Sequence, residues 1–211
     1  MDLYFSPLAC SLATRIALYE AGAAVNFIEV DTKRHRLADG SDFLAINPLG
    51  QVPVLRTDED ALLTENSAVL PYVADCLPDA KLVPLGGFER ARLQQWLGFI
   101  STELHKAIFV PLLDPEATAD VKRYARDHVE ARFAVLHARF ADHDYLLDAF
   151  SVADAYLTVV LNWARYVDID LARWPAVVAY YQRVTARPAV ARAMQEEAEL
   201  FRTKQTRQRQ S

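Results

Sequence analysis

Asp2-Leu3-Tyr4-Phe5-Ser6-Pro7-Leu8-Ala9-Cys10-Ser11 carries a short apolar run through a proline-bearing turn into a helix, and the reading of this stretch decides the fold. Asp2 to Phe5 has the apolar and aromatic content of a strand, and Ser6-Pro7 ends it. Leu12, Ile16 and Tyr19 then recur at helical spacing, with Gly22 placed as a C-terminal stop. Val25 to Val30 reads as a second strand. Val52 to Arg56 and Ala61 to Thr64 read as two more, joined by the tight Asp58-Glu59-Asp60 turn, and a second helix begins at Asn66. The order is βαβ followed by ββα, so the first 77 residues form an α/β domain.

Beyond them the texture changes. Residues 78–87 combine Pro78 and Pro84 with Gly86-Gly87 and suit a linker. Residues 88–201 read as an all-helical domain: 88–110 ended by Pro111, then 116–141, 152–167, 175–186 and 189–199. Ser151-Val152-Ala153-Asp154 is an acidic variant of a capping box at the third of these. Trp96, Phe99, Ile100, Leu104, Tyr156, Val160, Trp163 and Val167 lie at three- and four-residue spacing and read as helix-packing core. Residues 202–211 carry Arg202, Lys204, Arg207 and Arg209 without an acid, which predicts a solvated, frayed basic tail.

With 211 residues, 52% of them hydrophobic, and only 6 Gly, the chain can bury a sizeable core and is not disordered. A net charge of -5 lacks the positive field that phosphate backbones require, so nucleic acid is excluded as the main partner. Charged residues interrupt every apolar stretch before membrane-spanning length, and Met1-Asp2-Leu3 enters a strand without a basic leader; a soluble cytoplasmic chain with no membrane partner is expected. Two cysteines are too few for a disulfide framework or a thiolate metal site, and no metal is expected; counting alone leaves one bridge between Cys10 and Cys76 open.

Three places could carry chemistry. Cys10 sits where the first helix begins, and a helix N-terminus favours an anion there, either its own thiolate or that of a ligand. The bland alternative is a small buried hydrophobe. Position 13 is Ala13, so a dithiol redox pair is excluded, and Cys76, in a stripe with Val69 and Val73, reads as core. In Asn47-Pro48-Leu49-Gly50-Gln51-Val52-Pro53-Val54-Leu55 a proline interrupts a strand. Either the strand is an edge, or Val52-Pro53 is cis and turns the Val52 backbone towards an extended, peptide-like ligand. In Thr64-Glu65-Asn66-Ser67, Asn66 suits an N-cap; Glu65 could take an ammonium, while the helix N-H groups with Asn66 or Ser67 take a carboxylate.

The three motifs in this order, followed by helices with Ser-Val-Ala-Asp-Ala-Tyr, resemble bacterial glutathione S-transferases of the cysteine-containing beta class over almost the whole chain. The resemblance implies a thioredoxin-like N-terminal domain that binds glutathione as cosubstrate, a helical C-terminal domain that completes the site for a small electrophile, and a homodimer with a role in detoxification. It places Cys10 near the glutathione sulfur with the Ser11 hydroxyl beside it, Val52 against the cysteinyl backbone, Pro53 as the cis-proline and Glu65 at the γ-glutamyl end. His105 and Lys106 match a pair facing the thiol and the glycyl end, and His35, within Lys33-Arg34-His35-Arg36, stands where a lysine can meet the glycyl carboxylate.

Departures from the pattern bear on mechanism. Phe5 stands where a tyrosine is frequent, and Tyr4 points to the opposite face of the strand. Asn66 replaces a serine or glycine, and Pro71 one turn into its helix should tilt or loosen it. The expected activity is conjugation of the glutathione thiolate to an electrophilic carbon, with thiol-disulfide exchange through Cys10 as a second mechanism. The rival is a non-catalytic interaction module on the same fold. The pocket for the electrophile is expected among helix residues such as Phe109, Leu113 and Trp163.

Overall fold

The computed structural model describes residues 1–210, with side chains through Thr206. It divides into two compact units, one of residues 1–82 with 187 onward, the other Val83–Ala186. The last helix, grouped with the helical domain on sequence grounds, thus clusters with the sheet.

In the first unit β1 (Asp2–Phe5), β2 (Asn26–Asp31), β3 (Arg36–Leu37), β4 (Val54–Arg56) and β5 (Leu62–Thr64) form one sheet in the order β3-β2-β1-β4-β5. β1 and β2 are parallel, Leu3 facing Phe27, and β4 runs antiparallel between β1 and β5, Leu55 facing both Leu3 and Leu63. β1 is central, so Leu3, Tyr4 and Phe5 are all buried on alternate faces. Tyr4 packs with Val30, Phe43, Val52 and Val54 on one face. On the other, the Arg15 guanidinium lies 4.4 Å from the Phe5 ring and 3.9 Å from Phe27. The ring at position 5 is therefore a stacking partner for a buried arginine.

Helix α1 (Leu12–Glu20) buries Leu12, Ala13, Ile16, Ala17 and Leu18. It ends as Gly22 predicts: Gly22 has φ 65°, its N-H donates to Tyr19 O, and Ala23 N donates to Leu18 O, the paired bonds of a Schellman motif. α2 (Asn66–Cys76) continues unbroken past the buried Pro71. Cys76 closes α2 and is exposed, not core: at the last residue of the helix the apolar stripe has run out, and Tyr72, one turn earlier, hydrogen-bonds its sulfur.

Helix α9 (Pro188–Gln210) packs on α1. Residues 202–210 continue this helix, where a frayed tail was expected, and Lys204 pairs with Glu29 at 3.5 Å. The side chains of Arg207 and Arg209 lie outside the described residues.

The second unit is helical. α3 (Gly87–Phe99) passes into wide π turns over Ile100–Phe109 and then into α4 (Val110–Leu113). Pro111 does not stop this rod as expected. Val110 N donates to His105 O, five residues back, and the wider turn relieves the clash that a proline ring makes with an α-helical carbonyl. The expected helix 116–141 is two, α5 (Ala119–Asp127) and α6 (Val129–Asp142), parted at His128, whose N-H turns to Ala125 O and whose ring meets Tyr124 O. α7 (Val152–Asn162) is buried along its whole length, and α8 (Pro175–Thr185) packs on it and on α6. Asp154 accepts from Ser151 N, Ser151 Oγ, Leu146 N and Tyr180 OH, so the acidic capping box is formed. Burial nonetheless pushes its carboxyl up to about 6.

Candidate active site

The turn after β1 is held from inside. Ser6 O accepts from Ala9 N at 3.0 Å, and the Ser11 hydroxyl bonds both Ser6 N and Ser6 O. Ser11 is wholly buried. Its hydroxyl, expected beside a ligand thiolate, is thus consumed in closing the loop, and Ser11 is a structural residue of the turn. The N-H groups of Leu12 and Ala13 go to Ala9 O and Cys10 O, so α1 acts on Cys10 through its dipole rather than through these donors.

Cys10 lies one residue before the N-cap, half-buried. Its thiol donates to Val52 O at 3.1 Å, and its carbonyl accepts from Asn66 Nδ2 at 3.0 Å. One residue therefore ties together the starts of α1, β4 and α2. The Val52-Pro53 bond is cis, and β4 lies between two strands; of the two readings of this proline the edge strand is the one that fails.

At the start of α2 the cap is displaced by one residue. Asn66 is the first helical residue, buried, with its amide spent on Cys10 O and on Thr14 Oγ1 at 3.4 Å. One N-H and one lone pair of the amide are thus taken, and the side chain points away from the N-cap role expected of it. Glu65 holds the N-cap position with φ 67°, exposed and without a side-chain capping bond. That left-handed backbone is sparsely populated by non-glycine residues, and strain of this kind gathers at binding sites. The N-H groups of Asn66 and Ser67, in the first turn, have no intrahelical acceptor. An exposed carboxylate beside bare amides is the arrangement that a zwitterionic amino-acid end requires.

The loop before Pro53 is organised by Asn47, which donates to Gln51 O at 2.8 Å and accepts from Leu49 N. Gly50 has φ 63°, and a Cβ there would collide with the imidazole of His35. His35 thus packs on Gly50 with its Nδ1 buried and without a hydrogen-bond partner. Neither this contact nor its dependence on glycine was legible in the sequence.

The turn between β1 and α1, which carries Cys10, is gripped by α9. Glu197, wholly buried, accepts from Leu8 N at 2.7 Å and from Arg15 Nε at 2.8 Å. Burial pushes this carboxyl up to about 7 against the pull of Arg15. Leu8 has φ 61°, a conformation that a leucine adopts only when its surroundings hold it there. On the same loop a cavity of about 230 Å³ is lined by Ser6, Pro7, Asp31, Lys33, Phe201 and Lys204. Lys204 is engaged by Glu29, so the charges around the cavity balance and give it no preference for an anion.

In the helical unit His105 lies on the π turns with Nδ1 2.7 Å from Tyr156 OH and its ring 4.9 Å from that of Trp163. Burial pushes the imidazole down to about 4, and the positive charge of Lys106 acts in the same direction. The ring is neutral at physiological pH. Lys106 is exposed. Of the residues expected around an electrophile, Phe109 is wholly buried against Trp163, whereas Leu113 is exposed. Tyr156 was read only as core, and its hydroxyl's partner lies 51 residues upstream.

Among the described residues no three metal-ligating side chains cluster, and no helix is long and apolar enough to cross a membrane.

Comparison with known proteins agrees with this geometry. Residues 2–75 match the glutathione S-transferase N-terminal domain and residues 99–188 the C-terminal domain. Glutathione S-transferase GstA of Escherichia coli O157:H7 is 38% identical over 93% of this chain and 98% of its own. A sphingomonad glutathione S-transferase solved in complex with glutathione superposes with a TM-score of 0.89 at 44% identity, covering 94% of this chain and 99% of that one. The beta-class enzyme of Sphingomonas chungbukensis gives 0.89 at 43% identity over 93% and 98%. With a thioredoxin-like sheet unit, a helical unit and relatives matched over nearly their full length, this chain belongs to the glutathione S-transferase family.

Proposed function

We propose that the protein is a glutathione transferase whose cosubstrate lies across the junction that Cys10 makes with Val52 and Asn66. The observation that carries this reading is the convergence of the three segments through two hydrogen bonds of one residue, 3.1 Å to Val52 O and 3.0 Å from Asn66 Nδ2. Extended along Val52 beside Pro53, a tripeptide would pair its cysteinyl backbone there. Its γ-glutamyl ammonium would meet Glu65, and its α-carboxylate the N-H groups of Asn66 and Ser67. His35 and Lys106 are assigned to the glycyl carboxylate.

In conjugation the glutathione thiol releases its proton to solvent, and the thiolate attacks an electrophilic carbon. A sulfur-carbon bond forms as the leaving group departs with its electron pair. The α1 dipole and the Cys10 thiol favour the anion, and the resemblance to the family assigns His105 to the thiolate. Each pKa unit of thiol depression corresponds to about 1.4 kcal/mol.

A second activity is favoured by the half-buried state of Cys10. Its thiolate attacks the glutathionyl sulfur of a disulfide between glutathione and another thiol, that disulfide breaks, the other thiol leaves as its thiolate, and a disulfide of Cys10 with glutathione remains. A second glutathione thiolate then attacks that disulfide and restores Cys10. Cys10 and Cys76, not joined in a disulfide, fit a reducing, cytoplasmic setting rich in glutathione, and we assign the protein to detoxification of small electrophiles as a homodimer.

The test is a conjugation assay with an aryl halide, an epoxide and an organic peroxide, run beside intact-mass analysis after incubation with oxidised glutathione. Turnover of at least one electrophile is expected, with a glutathionyl adduct lost in Cys10→Ala and kept in Cys76→Ala. Retention on immobilised glutathione without any turnover would favour the interaction module instead.

A further inference from the structure

We infer that Tyr156 is a positioning residue for His105: its hydroxyl donates to Nδ1 and holds the imidazole in the neutral tautomer that carries its proton on Nε2. The inference rests on the reading that His105 serves the glutathione thiolate.

The bond is short, 2.7 Å, and half-buried, with Tyr156 only 2% exposed. The two rings meet edge to face, centroids 6.0 Å apart at 89°, and Trp163 confines the imidazole from a tilted angle of 58°. His105 itself is set on the π turns, its carbonyl taken by Val110 N. The ring is thus fixed by a hydrogen bond, an aromatic wall and an irregular stretch of backbone, a feature that recurs at functional sites.

The direction of the hydrogen bond follows from the chemistry of the pair. A neutral imidazole has one N-H and one lone pair, and a phenol is a better donor than acceptor. At Nδ1 the phenol proton therefore points to the lone pair, which leaves the ring's own proton on Nε2. Burial keeps the ring neutral, since its pKa lies at about 4. The outcome distinguishes two roles. With a proton on Nε2, His105 can only donate a hydrogen bond to an anion; with the other tautomer, the Nε2 lone pair would repel a thiolate and act as a base. Tyr156 makes His105 a donor.

The tautomer is read from long-range proton-nitrogen correlation spectra of the histidine-labelled, unliganded protein, with His105 assigned among the 5 histidines by the signal lost in His105→Gln. We expect Nε2 in the protonated range and Nδ1 in the unprotonated range, and a shift towards a mixture in Tyr156→Phe. In the conjugation assay Tyr156→Phe should lower kcat about 10-fold, a fraction of the effect of deleting an oxyanion donor, with the KM for glutathione unchanged within about twofold. Adding it to His105→Gln should cause no further loss. A protonated Nδ1 in the wild-type protein overturns the inference, and needs no variant to fold. So does a loss of kcat from Tyr156→Phe that persists in full without His105, which is what a purely structural tyrosine gives. An unchanged kcat in His105→Gln removes the role in the reaction. If the wild-type protein conjugates nothing, it is the transferase reading that fails, and the nitrogen shifts still decide the tautomer.

Discussion

Cys10 Sγ donates to the carbonyl of Val52 at 3.1 Å, so the thiol is bound to the same backbone that is assigned to glutathione. When the tripeptide's N-H takes that carbonyl, the Cys10 proton is released to donate elsewhere, and the nearest new anion is the ligand's sulfur. The S-H stretching band removed by Cys10→Ala should lie at lower frequency than that of the exposed Cys76. It should move again when S-methylglutathione is added. A band indifferent to the ligand would mean that the Val52 carbonyl is not part of the site.

Cys10→Ser keeps a donor to Val52 and should match the wild-type stability. Cys10→Ala loses one hydrogen bond and should unfold more easily by about 1 kcal/mol in denaturant titration. Conjugation should survive in Cys10→Ala, because the α1 dipole remains. Its abolition with glutathione affinity intact would make the protein thiol the main activator.

Gly50 is held at φ 63° beneath His35. Gly50→Ala introduces a methyl group where the imidazole lies and strains the turn, so stability should fall by about 1 kcal/mol. If His35 meets the glycyl carboxylate, glutathione affinity should fall as well, and this second loss should vanish in a His35→Ala background. Equal losses of affinity in both backgrounds would leave His35 without a role in binding.

Glu197 fixes the loop that carries Cys10 from a helix far along the chain. Glu197→Ala takes from the buried Arg15 its 2.8 Å partner and leaves it Glu196 at 3.5 Å and the Tyr19 hydroxyl, and should lower stability by about 3 kcal/mol. The carboxyl is pushed up to about 7 by burial, so the folded state holds a proton that the unfolded chain releases near pH 4.5. This group's contribution is complete below pH 4.5 and is lost as pH rises through 7. The difference in melting temperature between the wild type and Glu197→Gln should therefore change across that window and be flat below it.

Much of this was legible in local pattern. The strand-turn-helix from Asp2 to Glu20, the Gly22 stop and the capping box of Ser151 and Asp154 depend on residues within one turn of each other, and each formed as read. What escaped depends on direction or distance. The Ser11 hydroxyl turns inward because Ser6 offers both a donor and an acceptor five residues back. The cap of α2 moved from Asn66 to Glu65 because Cys10, 56 residues away, claims the asparagine amide. Pro111 stayed within its helix because the backbone ahead of it had widened, and periodicity carries no mark of that. Helix α9 joined the sheet unit through ion pairs of Arg15 with Glu197 and of Glu20 with Arg187 that link the two ends of the chain.

Binding of glutathione at this junction depends most directly on Glu65. Glu65 makes no side-chain capping bond, so Glu65→Gln should leave the unliganded melting temperature unchanged. Calorimetric titration with glutathione should show binding to the wild-type protein and, in Glu65→Gln, a loss of about 1.5–3 kcal/mol, the range for a hydrogen bond to a charged group. Equal affinity in the two proteins would contradict the assignment of the γ-glutamyl end to the start of α2, and with it the orientation proposed for the bound tripeptide.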